Sequence, residues 1–192
     1  MSEAEKERFF ILDTEYAKCI AHAALDFGTL EYQANDVIWR LASIHTALGA
    51  CITAQIFTLD NRLKAILALM KLRQMDQKLI DRVNRFSERV REANELRNRI
   101  LHDMWLISGD RKSMSQLEVT AKGQLSYKLK KIEIEELKND CAKIRERHDE
   151  FNEIRYDIAD AIASLPPIPR EAQLPILSAN RAHRQTPPSD AQ

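Results

Sequence analysis

The sequence predicts an all-α fold, a bundle of about four helices with a small β-hairpin inserted before the last long helix. Three observations predict it. All six prolines lie after Leu165, at positions 166, 167, 169, 175, 187 and 188, so the first 165 residues lack the strongest helix breaker. Apolar residues there recur at steps of three and four, the period of one helix face. One stretch, at about 115–131, alternates apolar and polar residues instead, the period of a strand. The folded domain is therefore expected at 1–165, and a proline-rich C-terminal tail, expected to be mobile, at 166–192. Within that tail, residues 174–177 are apolar enough to dock on a surface.

The first long helix is expected at about 13–48. Tyr16, Ile20, Ala23, Phe27, Leu30, Ala34, Val37, Leu41, Ile44 and Leu48 draw one unbroken stripe along it. Gly28 lies within it and predicts a kink or a close helix contact. Such a helix is on the order of 50 Å long, more than a compact bundle needs, so it is expected to bend or to extend to a second subunit. Residues 49–58 read as a connection, and 59–72 as a shorter helix with Leu63, Ile66, Leu67 and Met70 inward. The next helix begins at Asp76 and carries Leu79, Val83, Phe86, Val90, Ala93, Arg97 and Ile100 on its stripe. After Trp105 the period changes. Leu117, Val119 and Ala121, then Leu125, Tyr127 and Leu129, alternate with polar residues around Lys122-Gly123. That is a hairpin pattern, with a third strand expected at 104–107. The last helix, about 134–165, aligns Leu137, Cys141, Ile144, His148, Phe151, Ile158, Ile162 and Leu165.

Composition narrows the function. Lys plus Arg and Asp plus Glu number 29 each, so the chain as a whole does not attract nucleic acid and any phosphate site must be a local patch. The three cysteines, Cys19, Cys51 and Cys141, are scattered and odd in number, which points to a reducing compartment and not to a disulfide framework. Cys19 and His22 have a ligand-like spacing but no second pair, so neither a metal nor another cofactor is expected. Residues 1–8 are charged and lack the apolar centre of a secretory leader. No apolar run approaches the roughly 18 residues of a membrane span. A cytoplasmic protein without membrane association is expected.

The run ELRNRILHDMW at 95–105 is where chemistry is concentrated. Arginine holds phosphate well, and histidine moves protons near neutral pH. Arginine followed by histidine at this spacing is by itself weak: with 17 arginines and 5 histidines, about one match arises by chance. A second match, Arg40 to His45, does occur; it sits mid-helix, with Leu41 where the first has Asn98, and reads as an exposed helical histidine. The Arg97 match stands out by placement. Arg97 takes a seam position where a leucine is expected, and a guanidinium there needs an anion or a wet interface. Asn94, Asn98 and His102 are spaced by four and share one face, and the helical pattern stops just after His102. Residues five apart point roughly 140° away from each other on a straight helix. Arg97 and His102 are therefore expected to converge only if the helix bends near Ile100 or a second subunit completes the site.

An arginine, a polar residue and then a histidine at this spacing, on an all-helical domain, resemble the HEPN superfamily (higher eukaryote and prokaryote nucleotide-binding domains). The apolar helix leading into RNRILHDMW, the hairpin and the final long helix resemble small bacterial HEPN-like proteins. The resemblance implies a homodimer that brings two motifs together. It implies a metal-independent endoribonuclease of a toxin–antitoxin or phage-defence system, with RNA as substrate and an antitoxin or defence-system partner. Arg97, Asn98 and His102 would then be the catalytic residues, and Arg99, Arg91 and Asn94 would bind RNA phosphate. One departure is that Asp103-Met104-Trp105 follows His102, without the tyrosine two positions on that marks the group paired with small nucleotidyltransferases.

Plainer readings stand beside these. Arg82, Arg85, Arg89 and Arg91 form a basic track, but Glu88, Glu92 and Glu95 interleave with them, as on a solvated face with i,i+4 pairs. His148 reads as a buried, hydrogen-bonded histidine, and Trp105 as a core or hairpin anchor. Glu31 is an expected acidic partner for Arg97 if the helices pack together. The alternative to an enzyme is a non-catalytic helical interaction or nucleotide-binding module.

Overall fold

The structure, a computed structural model, describes residues 14–107, 114–122 and 124–166. Among these residues, helices α1 (Thr14–Leu41), α2 (Thr46–Thr53), α3 (Leu59–Leu72) and α4 (Gln77–His102) come first. Strands β1 (Met104–Ile107), β2 (Met114–Lys122) and β3 (Gln124–Ile132) follow, and α5 (Ile134–Ala163) ends the fold. The expected charged segment at 1–8, the helix start at 13, Gly123 of the turn and the tail after Pro166 lie outside the described residues.

The stripes become the core. Tyr16, Ala23, Phe27, Leu30, Ala34, Val37 and Leu41 of α1 are buried, as are Val83, Phe86, Val90, Ala93 and Ile100 of α4. Leu137, Ile144, Phe151, Ile154 and Ile158 of α5 meet them, and the Phe86 and Phe151 ring centroids lie 5.1 Å apart. Each Val, Leu, Ile or Phe among them contributes roughly 1.5–3 kcal/mol by leaving water.

Polar contacts fix the helix directions. Across α1 and α5 residue numbers rise together, Cys19 with Cys141, Asp26 with Arg145 and Gln33 with Asn152, so the two run parallel. α3 also follows α1: Arg62 bonds Asn35 and Glu31, and Arg73 bonds Ser43. α4 runs against α5, from Arg82 beside Asp157 to Arg89 beside Glu150.

The first helix ends at Leu41, and the residues expected to form a connection hold α2. Ser43 adopts φ of 54°, outside the helical region, and stops the helix. His45 is exposed, but it is no mid-helix residue: its Nδ1 accepts from the Ala47 N–H at 3.3 Å and caps α2. Trp39 holds the fold-back. Its indole N–H donates to Thr53 Oγ1 at 3.1 Å, and Thr53 Oγ1 donates to the Gly49 carbonyl at 3.0 Å. A Cβ on Gly49 would stand 2.4 Å from Trp39 Cδ1, so only glycine allows this approach. An eight-residue helix returns the chain by about 12 Å, and α3 can then restart in α1's direction. Leu48, expected on the inner stripe, is 57% exposed. Gly28 makes no close contact: nothing lies within 4 Å of an added Cβ, and α1 runs unbroken through it.

The three strands form an antiparallel sheet in the order β1-β2-β3, with the expected hairpin as β2 and β3 and the third strand at its edge. Met104 faces Leu117, and Leu117, Val119 and Ala121 face Leu129, Tyr127 and Leu125. Residues two apart share a sheet face, so Met114, Gln116 and Ile132 turn inward and are buried. Met104, Val119, Leu125, Tyr127 and Leu129 turn outward, each more than half exposed. The sheet caps the end of the bundle where α4 stops and α5 starts. Tyr16 fastens it to α1: its hydroxyl donates to the Ile132 carbonyl at 2.8 Å, and its ring meets Trp105 edge-on at 6.2 Å.

Candidate active site

α4 begins firmly, with Asp76 Oδ1 accepting from the N–H groups of Lys78 and Leu79 at 2.9 and 3.3 Å. It ends at His102. The last carbonyls of a helix lack partners within it, and here neighbouring residues supply them. The Asp103 N–H and Gln116 Nε2 both donate to the Arg99 carbonyl, at 3.2 and 3.3 Å. Trp105 Nε1 donates to the Ile100 carbonyl at 2.9 Å. The sheet therefore sets where His102 stands, and Trp105 is the anchor its sequence context predicts.

The buried series of α4 runs Ala93, Leu96 and Ile100, so Leu96 fills the seam position expected of Arg97, and Arg97 is half-buried beside it. Its guanidinium carbon lies 5.2 Å from the centroid of the Phe27 ring on α1. That is a cation–π distance, and it answers how a cation lies beside an apolar stripe. Nε is buried with no hydrogen-bond partner among the described residues. Nη1 donates to Asn98 Oδ1 at 2.9 Å and reaches His102 Nε2 at 3.1 Å. The pair thus meets within one helix that stays regular through Ile100. The expected need for a bend or a second subunit is overturned, because the long arginine arm runs past the last turn to a histidine at the helix end. Arginine only donates, so this contact is a hydrogen bond in the tautomer whose Nε2 accepts.

Other expected members divide. Asn94 is half-buried one turn before Asn98, on the same face. Arg99 is exposed beside the helix end, where it and His102 act on Asp103. The Asp103 carboxyl titrates above its ordinary range, first through burial and then through repulsion by Glu118, with Arg99 and His102 opposing the rise. Arg91 stays apart from this group. It is drawn to Asp60 of α3 at 3.7 Å, and that carboxyl is held low by Lys64 first and by Arg91 as well. Glu31 does not pair with Arg97; its carboxylate is 3.3 Å from Arg62 on α3. Within the basic track Arg82 meets Asp157 and Glu153 and Arg89 meets Glu150, so the acids come from α5 and not from i,i+4 neighbours. His148 is half-buried, with Nδ1 2.9 Å from Asp149 Oδ1.

The residue pattern did not single out Phe27, Asp103 and Gln116. Phe27 read only as core. Gln116 carried a faint signal, being a polar residue in register with the inward Met114. Elsewhere, Cys19, His22, Asp26, Lys138 and Cys141 line a cleft of about 450 Å³ between α1 and α5. There the Cys141 thiol donates to the Cys19 carbonyl at 3.3 Å, and burial above all pushes its pKa up to about 12. His22 Nδ1 lies 3.3 Å from Arg145. Among the described residues no group of three His, Cys, Asp or Glu side chains is arranged to hold a metal ion. None of their helices is long and apolar enough to cross a membrane.

No protein-family model matches this chain, and neither a curated protein nor a solved structure matches it.

Proposed function

We propose that the chain is a HEPN-like, metal-independent endoribonuclease that works as a homodimer, with Arg97, Asn98 and His102 as its catalytic residues. The observation that carries this reading is the contact of Arg97 Nη1 with both Asn98 Oδ1 and His102 Nε2 at the exposed end of α4. A phosphate binder, a proton carrier and an amide that orients them form one cluster.

RNA brings its own nucleophile, the 2′-hydroxyl. An entering phosphodiester takes the guanidinium of Arg97, which is a better partner for an anion than for an imidazole. Nε2 of His102 is thereby released to accept the 2′-hydroxyl proton. The 2′-oxygen attacks phosphorus, the bond to the 5′-oxygen breaks, and that oxygen takes a proton from the second copy's imidazolium. The products are a 2′,3′-cyclic phosphate and a 5′-hydroxyl. Arg97 offsets the charge gathering on phosphorus oxygens in the transition state, and exposed Arg99 meets the adjoining backbone. The outward apolar sheet face begins at Met104, two residues past His102, and suits a second copy beside the site.

RNA incubated with the full chain in the presence of a chelator tests the reading. Cleavage to cyclic-phosphate ends is expected, and His102→Ala or Arg97→Ala should slow it by about 10²–10⁴-fold. RNA left intact, or cut equally by the His102 variant, sinks the proposal. The same hydrogen bond also supports a second reading, in which the pair only binds nucleotide. ATP that raises the melting temperature while RNA stays intact would select it.

A further inference from the structure

α2 faces the wrong way for a surface helix. From Ser43 to Thr58 the sequence SIHTALGACITAQIFT holds no Asp, Glu, Lys or Arg, in a chain where such residues make up 30%. Only Gly49 and Thr53 of α2 are buried, against Trp39. Leu48, Cys51 and Ile52, at helix spacing, turn outward, with Leu48 57% and Ile52 48% exposed, and Phe57 follows at 80%. A helix normally buries its apolar side; this one shows it.

The chain beyond the fold starts beside this face. Arg73 Nη2 donates to the Pro166 carbonyl at 3.2 Å, and Nη1 of the same guanidinium donates to Ser43 Oγ at 3.0 Å, two residues before the α2 cap. Residues 167–192 follow. Their longest stretch of large apolar residues is Leu174-Pro175-Ile176-Leu177, within residues 172–180, which carry no Asp, Glu, Lys or Arg. Leu174 lies eight positions beyond Pro166, a reach of about 25 Å in a proline-rich extended form. That exceeds the roughly 12 Å length of α2. A tethered segment also acts at an effective concentration in the millimolar range, far above that of a second copy at ordinary protein concentration.

We propose that residues 174–177 of the same chain cover the outward face of α2. The match is apolar to apolar, without charge on either side, and the exit at Pro166 places the tether next to its target.

Cys51 is a built-in probe, since it lies on the covered face. The full chain is treated with N-ethylmaleimide and modification of each cysteine is followed by mass spectrometry. Slow labelling of Cys51 is expected, independent of protein concentration. Replacing Leu174, Ile176 and Leu177 together by serine should speed it at least tenfold, with Cys141 unchanged as the control for global unfolding. Ile52→Ser tests the receiving face and should also speed it. Equal rates in the parent and the tail variant overturn the proposal. Protection that ignores the tail and disappears on dilution also overturns it, and assigns the face to a second copy.

Discussion

Gly28 and Gly49 should answer the same substitution in opposite directions. Gly28 is exposed within α1, with nothing within 4 Å of an added Cβ. Gly28→Ala removes the backbone freedom of glycine at no steric cost and should stabilise by about 0.5–1 kcal/mol. Gly49→Ala drives a methyl to 2.4 Å from Trp39 Cδ1 and should destabilise by about 1–3 kcal/mol through overpacking. Urea midpoints at constant m-value measure both. Asp103 supplies a pH test. Its folded-state pKa is raised above the usual 3.8, so the folded chain holds a proton that the unfolded chain gives up as pH rises. Its contribution to stability is fully present below the unfolded value and is lost as pH climbs through the raised folded value. Asp103→Asn should therefore raise the melting temperature near pH 7 and leave it unchanged near pH 3. An equal gain at both pH values would show that charge is not the cause.

At the level of elements, the last turn of α4 depends on the sheet that follows it. Trp105→Phe keeps an aromatic edge for Tyr16 but removes the donor to the Ile100 carbonyl. A loss of about 1 kcal/mol is expected. Amide exchange should quicken in the last turn of α4, and RNA cleavage should fall mainly in kcat because His102 loses its fixed place. Unchanged exchange there would mean that the indole does not hold the turn. The hairpin was legible because both strands alternate apolar and polar residues on either side of Lys122-Gly123. Burial of α1 was legible from its apolar period, up to Leu41. Its end was not, since Ile44 and Leu48 continue the period by coincidence and the stop rests on Ser43 and His45, neither a strong breaker. α2 has no amphipathic pattern to read, because its inner face is glycine and threonine. In the site, the placement of Arg97 against the core was visible in the stripe, although Leu96 fills the seam itself. Its contact with His102 was not, because periodicity fixes where a side chain starts and says little of where a long arm ends. Phe27 and Gln116 come from other elements, and only packing brings them in.

For the whole molecule, the outward sheet face sets the scale of any assembly. Two strands of nine residues and one of four present a face roughly 30 Å long and about 10–14 Å wide. Two such faces bury on the order of 700 Å², short of the about 1,200 Å² at which stable interfaces begin. A homodimer built on the sheet must therefore also use the surface beside it. At the Met104 corner that surface is the end of α4, where His102 is exposed. Met104, Val119, Leu125, Tyr127 and Leu129 are uncharged, and the charge on this face is Lys131, in register with Ser115 at the end of β3 and 2.8 Å from Glu133, so a two-fold arrangement centred on the apolar residues keeps like charges at its margin. Replacing Tyr127 and Leu129 together by lysine places four positive charges at the interface and should convert a dimer to a monomer by light scattering. Both positions are exposed in the single chain, so the monomer's own fold should survive. If the two His102 side chains serve one cleft, RNA cleavage should fall together with dimerisation and return at high protein concentration. A variant that stays dimeric removes the sheet from the interface. One that turns monomeric yet cleaves as before would show that each chain carries a complete site, and Arg97 and His102 would then act within the single helix that already joins them.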